Sequence, residues 1–106
     1  MALLREYKEI AYQWGIWKTE ESPEELLALL PDPERYEQQL TLFSSPHRKL
    51  EWLSVRVLLY QLLGEEKTIE YAPSGKPHLA DSSYFISISH TRGYVAVILS
   101  PVSEVG

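Results

Sequence analysis

The stretch Ser45–Gly64, "SPHRKLEWLSVRVLLYQLLG", decides how the rest of the chain is arranged. Ser45 followed by Pro46 is an N-cap followed by a residue pre-set for the first helical turn. Gly64 stands where a left-handed C-cap residue is expected. Between them Leu50, Leu53, Val57 and Tyr60 fall on one stripe, while Leu58, Leu59, Leu62 and Leu63 spread apolar surface round the last turns. A helix apolar on nearly every side is a central one, so the other elements are expected to pack around it.

Upstream, Ile10, Tyr12, Trp14 and Ile16 occupy alternate positions of "IAYQWGI", the period of a strand with one buried face. Ser22, Pro23 and Glu25 then form a capping-box pattern that predicts a short helix to Leu30. Pro31 stops it, and Asp32-Pro33 repeats the cap-plus-proline signal for a second helix to about Leu40. Downstream of Gly64, "TIEY" (68–71) reads as a short strand and "APSGKPHLADSS" (72–83) as a turn-rich loop. "YFISISH" (84–90) and "YVAVILS" (94–100) flank Thr91-Arg92-Gly93, the pattern of a β-hairpin. The expected fold is α+β: a small, mostly antiparallel sheet built from the first strand, the 68–71 strand and the terminal hairpin, packed on one long helix.

The 106 residues suit a single domain, 1–106, with one modest core, and 44% hydrophobic with 24% charged residues is an ordinary water-soluble balance. A net charge of −5 and no basic patch argue against nucleic-acid binding. No stretch approaches the roughly 20 apolar residues of a membrane span, and Met1–Glu6 lacks the basic leader of a secretory signal. Cysteine is absent, which removes disulfides and thiolate metal sites and fits a cytoplasmic location.

Few residues carry chemistry. Ser89 and His90 adjoin, but neighbours on a strand point to opposite faces, which rules out a nucleophile–base pair. His47, His78 and His90 are scattered over a helix start, a loop and a strand, without zinc-ligand spacing. The acid pairs Glu20-Glu21, Glu24-Glu25 and Glu65-Glu66 read as solvated charges. Arg48 and Arg56 lie eight residues apart, two helical turns on one side, as a surface stripe pairing with Glu51 or Glu37. Against that, a cation in the first turn opposes the helix dipole, a hint that Arg48 serves an anionic partner. Lys76 sits in the tight turn Gly75-Lys76-Pro77, where backbone can approach a phosphate closely. His90 shares parity with Ile86 and Ile88 and leaves the apolar face where the strand ends.

In this order, the long helix, the short strand, "SGKPHL", "FISISHT", "GYVAVILS" and the closing "VG" resemble the N-terminal half of the 4′-phosphopantetheinyl transferases of the surfactin-synthetase-activating type. The resemblance covers roughly Pro46 to Gly106. It implies one half of a two-half α/β pseudo-dimer that moves phosphopantetheine from coenzyme A, with Mg²⁺, to a serine of an acyl or peptidyl carrier protein. Lys76 and Pro77 would then line the nucleotide of coenzyme A, Ser89 and His90 would contact its phosphates, and Arg48 would meet the 3′-phosphate. In the family, metal-binding acids follow the position of Gly106 and a second half carries further acids. The chain by itself is thus expected to be inactive, a truncated half inclined to self-associate in place of its missing C-terminal half. Two further expectations stand beside it: an assembly module without chemistry, and a stand-alone coenzyme A binder.

Overall fold

The computed structural model describes residues 3–8, 13–91 and 93–101. They form strands β1 (Leu3–Lys8) and β2 (Gln13–Lys18), helices α1 (Pro23–Ala28), α2 (Glu34–Leu40) and α3 (Pro46–Leu63), and strands β3 (Ile69–Tyr71), β4 (Pro77–Leu79), β5 (Phe85–Thr91) and β6 (Tyr94–Ser100). A four-stranded antiparallel sheet runs in the order β1-β2-β6-β5, and β3 and β4 make a separate two-stranded antiparallel sheet. The architecture is α+β, with small antiparallel sheets and one long helix.

The caps behave as local chemistry dictates. Ser22 Oγ accepts from the Glu25 amide at 3.2 Å while Glu25 Oε1 accepts from the Ser22 amide at 2.9 Å, closing a capping box at the start of α1. Ser45 caps α3, and Gly64 ends it at φ 75°, where a side chain on Cα would be strained. The helix before Pro31 stops at Ala28 rather than Leu30, and α2 has Pro33 at its N-cap with no side-chain capping bond, so Asp32 is not the cap its sequence suggested. The Asp32 amide instead donates to Glu66 Oε1 at 2.8 Å.

α3 is buried along its middle, with Leu53 to Leu59 all withdrawn from solvent. On one side it meets the inner face of the four-stranded sheet, where Trp17, Val95, Val97, Leu99 and Ile86 are buried; α1 also packs against it, supplying Leu26. Burying each such side chain contributes roughly 1.5–3 kcal/mol before conformational entropy is charged against it. Thr19 Oγ1 and the fully buried Ser54 Oγ share a hydrogen bond of 2.7 Å, which pins the end of β2 to the helix.

Two expectations about strands change. The 68–71 strand does not join the main sheet: Ile69, Glu70 and Tyr71 pair with Leu79, His78 and Pro77, so part of the segment read as loop is a strand and "APSGK" is the turn of a hairpin. That turn closes through Gly75 N to Ala72 O at 2.7 Å and Ala72 N to Lys76 O at 2.9 Å, with Gly75 at φ 89°. The first strand is displaced as well. Ile10 to Tyr12 lie outside the described residues, while β2 extends to Lys18 and buries Gly15 and Trp17. Trp14 and Ile16 stand on the opposite face, beside Ile98 and Ala96 of β6. The alternation misled because both faces carry apolar groups: Phe85, Tyr94 and Ile98 on the outer face remain 47%, 38% and 36% exposed.

Candidate functional site

Cross-strand pairing fixes which way each residue of β5 points. Ile86, Ile88 and His90 lie opposite Leu99, Val97 and Val95, and so face α3. Ser87 and Ser89 lie opposite Ile98 and Ala96 and face away. His90 therefore ends the inner row, at the edge strand, where the sheet gives way to a cleft of ≈ 390 Å³ between α3, β5 and the β3–β4 hairpin. Arg48, Glu51, Trp52 and Arg56 line it from α3, Tyr71, Gly75 and Pro77 from the hairpin, and Ile88 and His90 from β5.

This brings together three of the five residues that the sequence singled out: Arg48, Pro77 and His90. Lys76 lines an adjoining cavity of ≈ 350 Å³ with Pro77, His78, Tyr84 and Phe85. Ser89 lines a shallow depression on the outer sheet face with Ile16, Tyr94 and Ala96.

The cleft's charges are unusual in their pairing. Arg56 is not part of a surface stripe: it is only 7% exposed, with its guanidinium stacked over the Trp52 ring at 4.0 Å. Its nitrogens donate to Trp52 O at 3.3 Å and Tyr71 Oη at 3.4 Å, both uncharged acceptors. Burial lowers its pKa from the ordinary guanidinium value, with Tyr71 and Tyr36 opposing the change. Among the described residues no carboxylate lies within ion-pairing distance of Arg56 or Arg48, so the surface pairing with Glu51 or Glu37 does not form. A buried cation without a counter-ion is costly and unusual, and it marks a place where an anion would be received favourably.

Glu51 has other partners. Its Oε2 lies 2.8 Å from His90 Nδ1 and 3.6 Å from His47 Nε2, one turn earlier on α3. Two of the three scattered histidines thus converge on one carboxylate, while His78 pairs with Glu70 across the hairpin at 3.2 Å. The His47–Glu51 spacing of four is visible in the sequence; the approach of His90 from another element is not. Among the described residues no group of three or more His, Cys, Asp or Glu side chains is placed to hold a metal ion.

Beside the cleft, the acid pair 65–66 is not simply solvated. Glu66, with its side chain 8% exposed, accepts from Tyr36 Oη at 2.6 Å and lies 3.8 Å from Arg35, which also hydrogen-bonds Thr68. Tyr36 in turn meets Trp52 edge-on at 5.8 Å, so this network buttresses the aromatic wall of the cleft. Glu65 and Asp81 both hold Lys67, at 2.6 Å each, tying the start of the hairpin to its far loop. Among the described residues no helix is long and apolar enough to cross a membrane. No protein-family model matches this sequence, and no curated protein matches it either.

Proposed function

We propose that the cleft receives the phosphates of coenzyme A, and that the chain acts as the N-terminal, coenzyme A-binding half of a 4′-phosphopantetheinyl transferase. The observation that carries this reading is the buried Arg56 at the cleft floor, with no carboxylate partner among the described residues, in the same cleft as Arg48 and His90. Guanidinium groups suit phosphate because their N–H donors match its oxygens in pairs, and a low-dielectric floor strengthens that contact. Trp52, Phe43, Val55 and Ile88 give the cleft an apolar wall. Lys76, one residue before Pro77 and in the adjoining cavity, extends the basic rim toward the hairpin turn. The acyl or peptidyl carrier protein, Mg²⁺ and a second half belong to the same proposal as partners in the transfer; the residues described here account for coenzyme A contact only, and that contact is what the test below addresses.

Titration of the chain with coenzyme A, followed calorimetrically, tests it. Binding in the millimolar range or tighter is expected, weaker for dephospho-coenzyme A and weaker again with increasing salt. No heat and no spectral change at millimolar coenzyme A would refute a ligand role for Arg48, Lys76 and His90. A longer version of the chain that failed to load a carrier protein in the presence of Mg²⁺ would refute the transferase assignment.

A further inference from the structure

We propose that a second cavity, on the α2 side of Arg56, binds a small aromatic monocarboxylate. This site goes beyond the coenzyme A reading and does not rest on it. A space of ≈ 320 Å³ lies between α2, α3 and the start of β3, and its wall combines three cations, Arg35, Arg56 and Lys67, with three aromatic rings, Tyr36, Trp52 and Tyr71. Trp52, Arg56 and Tyr71 also line the cleft, so they form the partition between the two spaces. The volume is near the lower end of small-molecule pockets, roughly 300–1,000 Å³, which suits one ring with a short polar group rather than a nucleotide.

Charge decides what that polar group is. Arg35 lies 3.8 Å from Glu66, and Lys67 is held by both Glu65 and Asp81 at 2.6 Å each. Of the three cations only Arg56 has no carboxylate within ion-pairing distance among the described residues. The wall thus offers one receptive cation beside three acids: a single negative charge is accommodated, and a second one meets the carboxylates. In the cleft, by contrast, Arg48 and Arg56 both lack such a partner. Arg56 also has the donors required. A guanidinium carries more N–H groups than the two engaged on Trp52 O and Tyr71 Oη, and its planar fork matches a carboxylate in paired bonds. Tyr71 Oη, which accepts from Arg56, has its own proton to donate, and no acceptor for it is found among the described residues. Stacking on Trp52 fixes the plane of the guanidinium, and its burial keeps water from weakening the contact. The aromatic rings and the partly buried Ile69 then receive the ring of the ligand.

The test titrates the isotope-labelled full chain with benzoate, cyclohexanecarboxylate and inorganic phosphate. NMR shifts are read at groups that belong to one space only: the Ile69 methyls and the Gln39 side-chain amide for the cavity, the Val55 and Ile88 methyls for the cleft. Benzoate is expected to move Ile69 and Gln39 in the millimolar range, with cyclohexanecarboxylate weaker by about threefold or more for want of a π face, and phosphate weaker still. Arg56→Met abolishes the Ile69 response, and Tyr71→Phe, which alters an exposed side chain, lowers benzoate affinity about fivefold. Arg48→Gln, outside this cavity, weakens coenzyme A but not benzoate. Ile69 and Gln39 unmoved at millimolar benzoate would overturn the inference, as would a response confined to Val55 and Ile88, a response retained in Arg56→Met, or phosphate binding there as tightly as benzoate. Should Arg56→Met not fold, unchanged benzoate affinity in Tyr71→Phe overturns it equally. If coenzyme A does not bind the parent chain, the proposed function fails while the Ile69 response still decides this site.

Discussion

Replacing Arg56 by methionine separates what the guanidinium does for the fold from what it does for a ligand. Taking a cation out of water to 7% exposure costs several kcal/mol even after the surroundings relax. The compensation is limited. A desolvated stack on Trp52 contributes about 2 kcal/mol, and hydrogen bonds of 3.3 and 3.4 Å to neutral oxygens, long for N–H···O, contribute no more than about 1 kcal/mol each. These offsets roughly cancel the desolvation and leave nothing over. Methionine keeps an unbranched stem and sets a polarisable sulfur against the indole, so the wall of the cleft stays packed. Arg56→Met is therefore expected to leave stability unchanged or raise it by up to about 2 kcal/mol, a Tm increase of as much as about 8–16 °C for a chain this size. Circular dichroism during thermal and urea unfolding measures this, and a coenzyme A titration of the same variant should show at least a tenfold loss of affinity. A variant destabilised by more than about 2 kcal/mol would refute the reasoning, because the arginine would then be structural glue rather than a cation held for a partner.

Two other substitutions probe the frame that holds the cleft. Gly64→Ala meets no atom within 4 Å, so its cost comes from the φ of 75° alone and should be about 1 kcal/mol, seen as a lowered urea midpoint with an unchanged m-value. Tyr36 has its pKa raised by burial and by the Glu66 carboxylate, so the unfolded chain gives up the phenolic proton first. Its contribution to stability is complete below about pH 10, the unfolded value, and is lost as pH rises from there toward the folded value. Tyr36→Phe should lower stability at pH 7 by about 1–3 kcal/mol, because Glu66 loses a donor, and should flatten the alkaline decline; an alkaline limb of unchanged slope would show that another group is responsible.

What the sequence made legible was local. α3, its caps and its central position follow from Ser45, Pro46, Gly64 and the spread of leucines, and the β5–β6 hairpin follows from a short glycine-containing connection. The parity of His90 with Ile86 and Ile88 put it on the helix-facing side of the strand, where the cross-strand pairs place it. The pairings that shape the cleft were not legible because their partners are remote in sequence. A three-residue strand at 69–71 carries too little pattern to reveal whether it joins the large sheet or Pro77–Leu79. Glu65 and Glu66 look alike on paper, yet only Glu66 meets Tyr36 and the Asp32 amide, some thirty residues upstream. The burial of Arg56 did leave a trace, since Leu53, Val55, Val57, Leu58 and Leu59 surround its position on every side of the helix. A cation amid such neighbours is better read as enclosed than as exposed.

The strand order β1-β2-β6-β5 also governs when the cleft can exist. β2 and β6 are neighbours in the sheet although α1, α2, α3 and the β3–β4 hairpin all intervene, with Trp14 opposite Ile98. Closing so long a loop is entropically slow, and such non-local pairing delays folding relative to the helices and hairpins that form from nearby residues. Arg48, Glu51 and Arg56 are in place once α3 forms, but His90 is delivered by a strand whose ladder partner is β6. During synthesis, then, the arginine-lined half of the cleft and the apolar underside of α3 precede the sheet that covers them. Until β6 pairs with β2, the apolar groups of α3 that the sheet buries stay open to solvent.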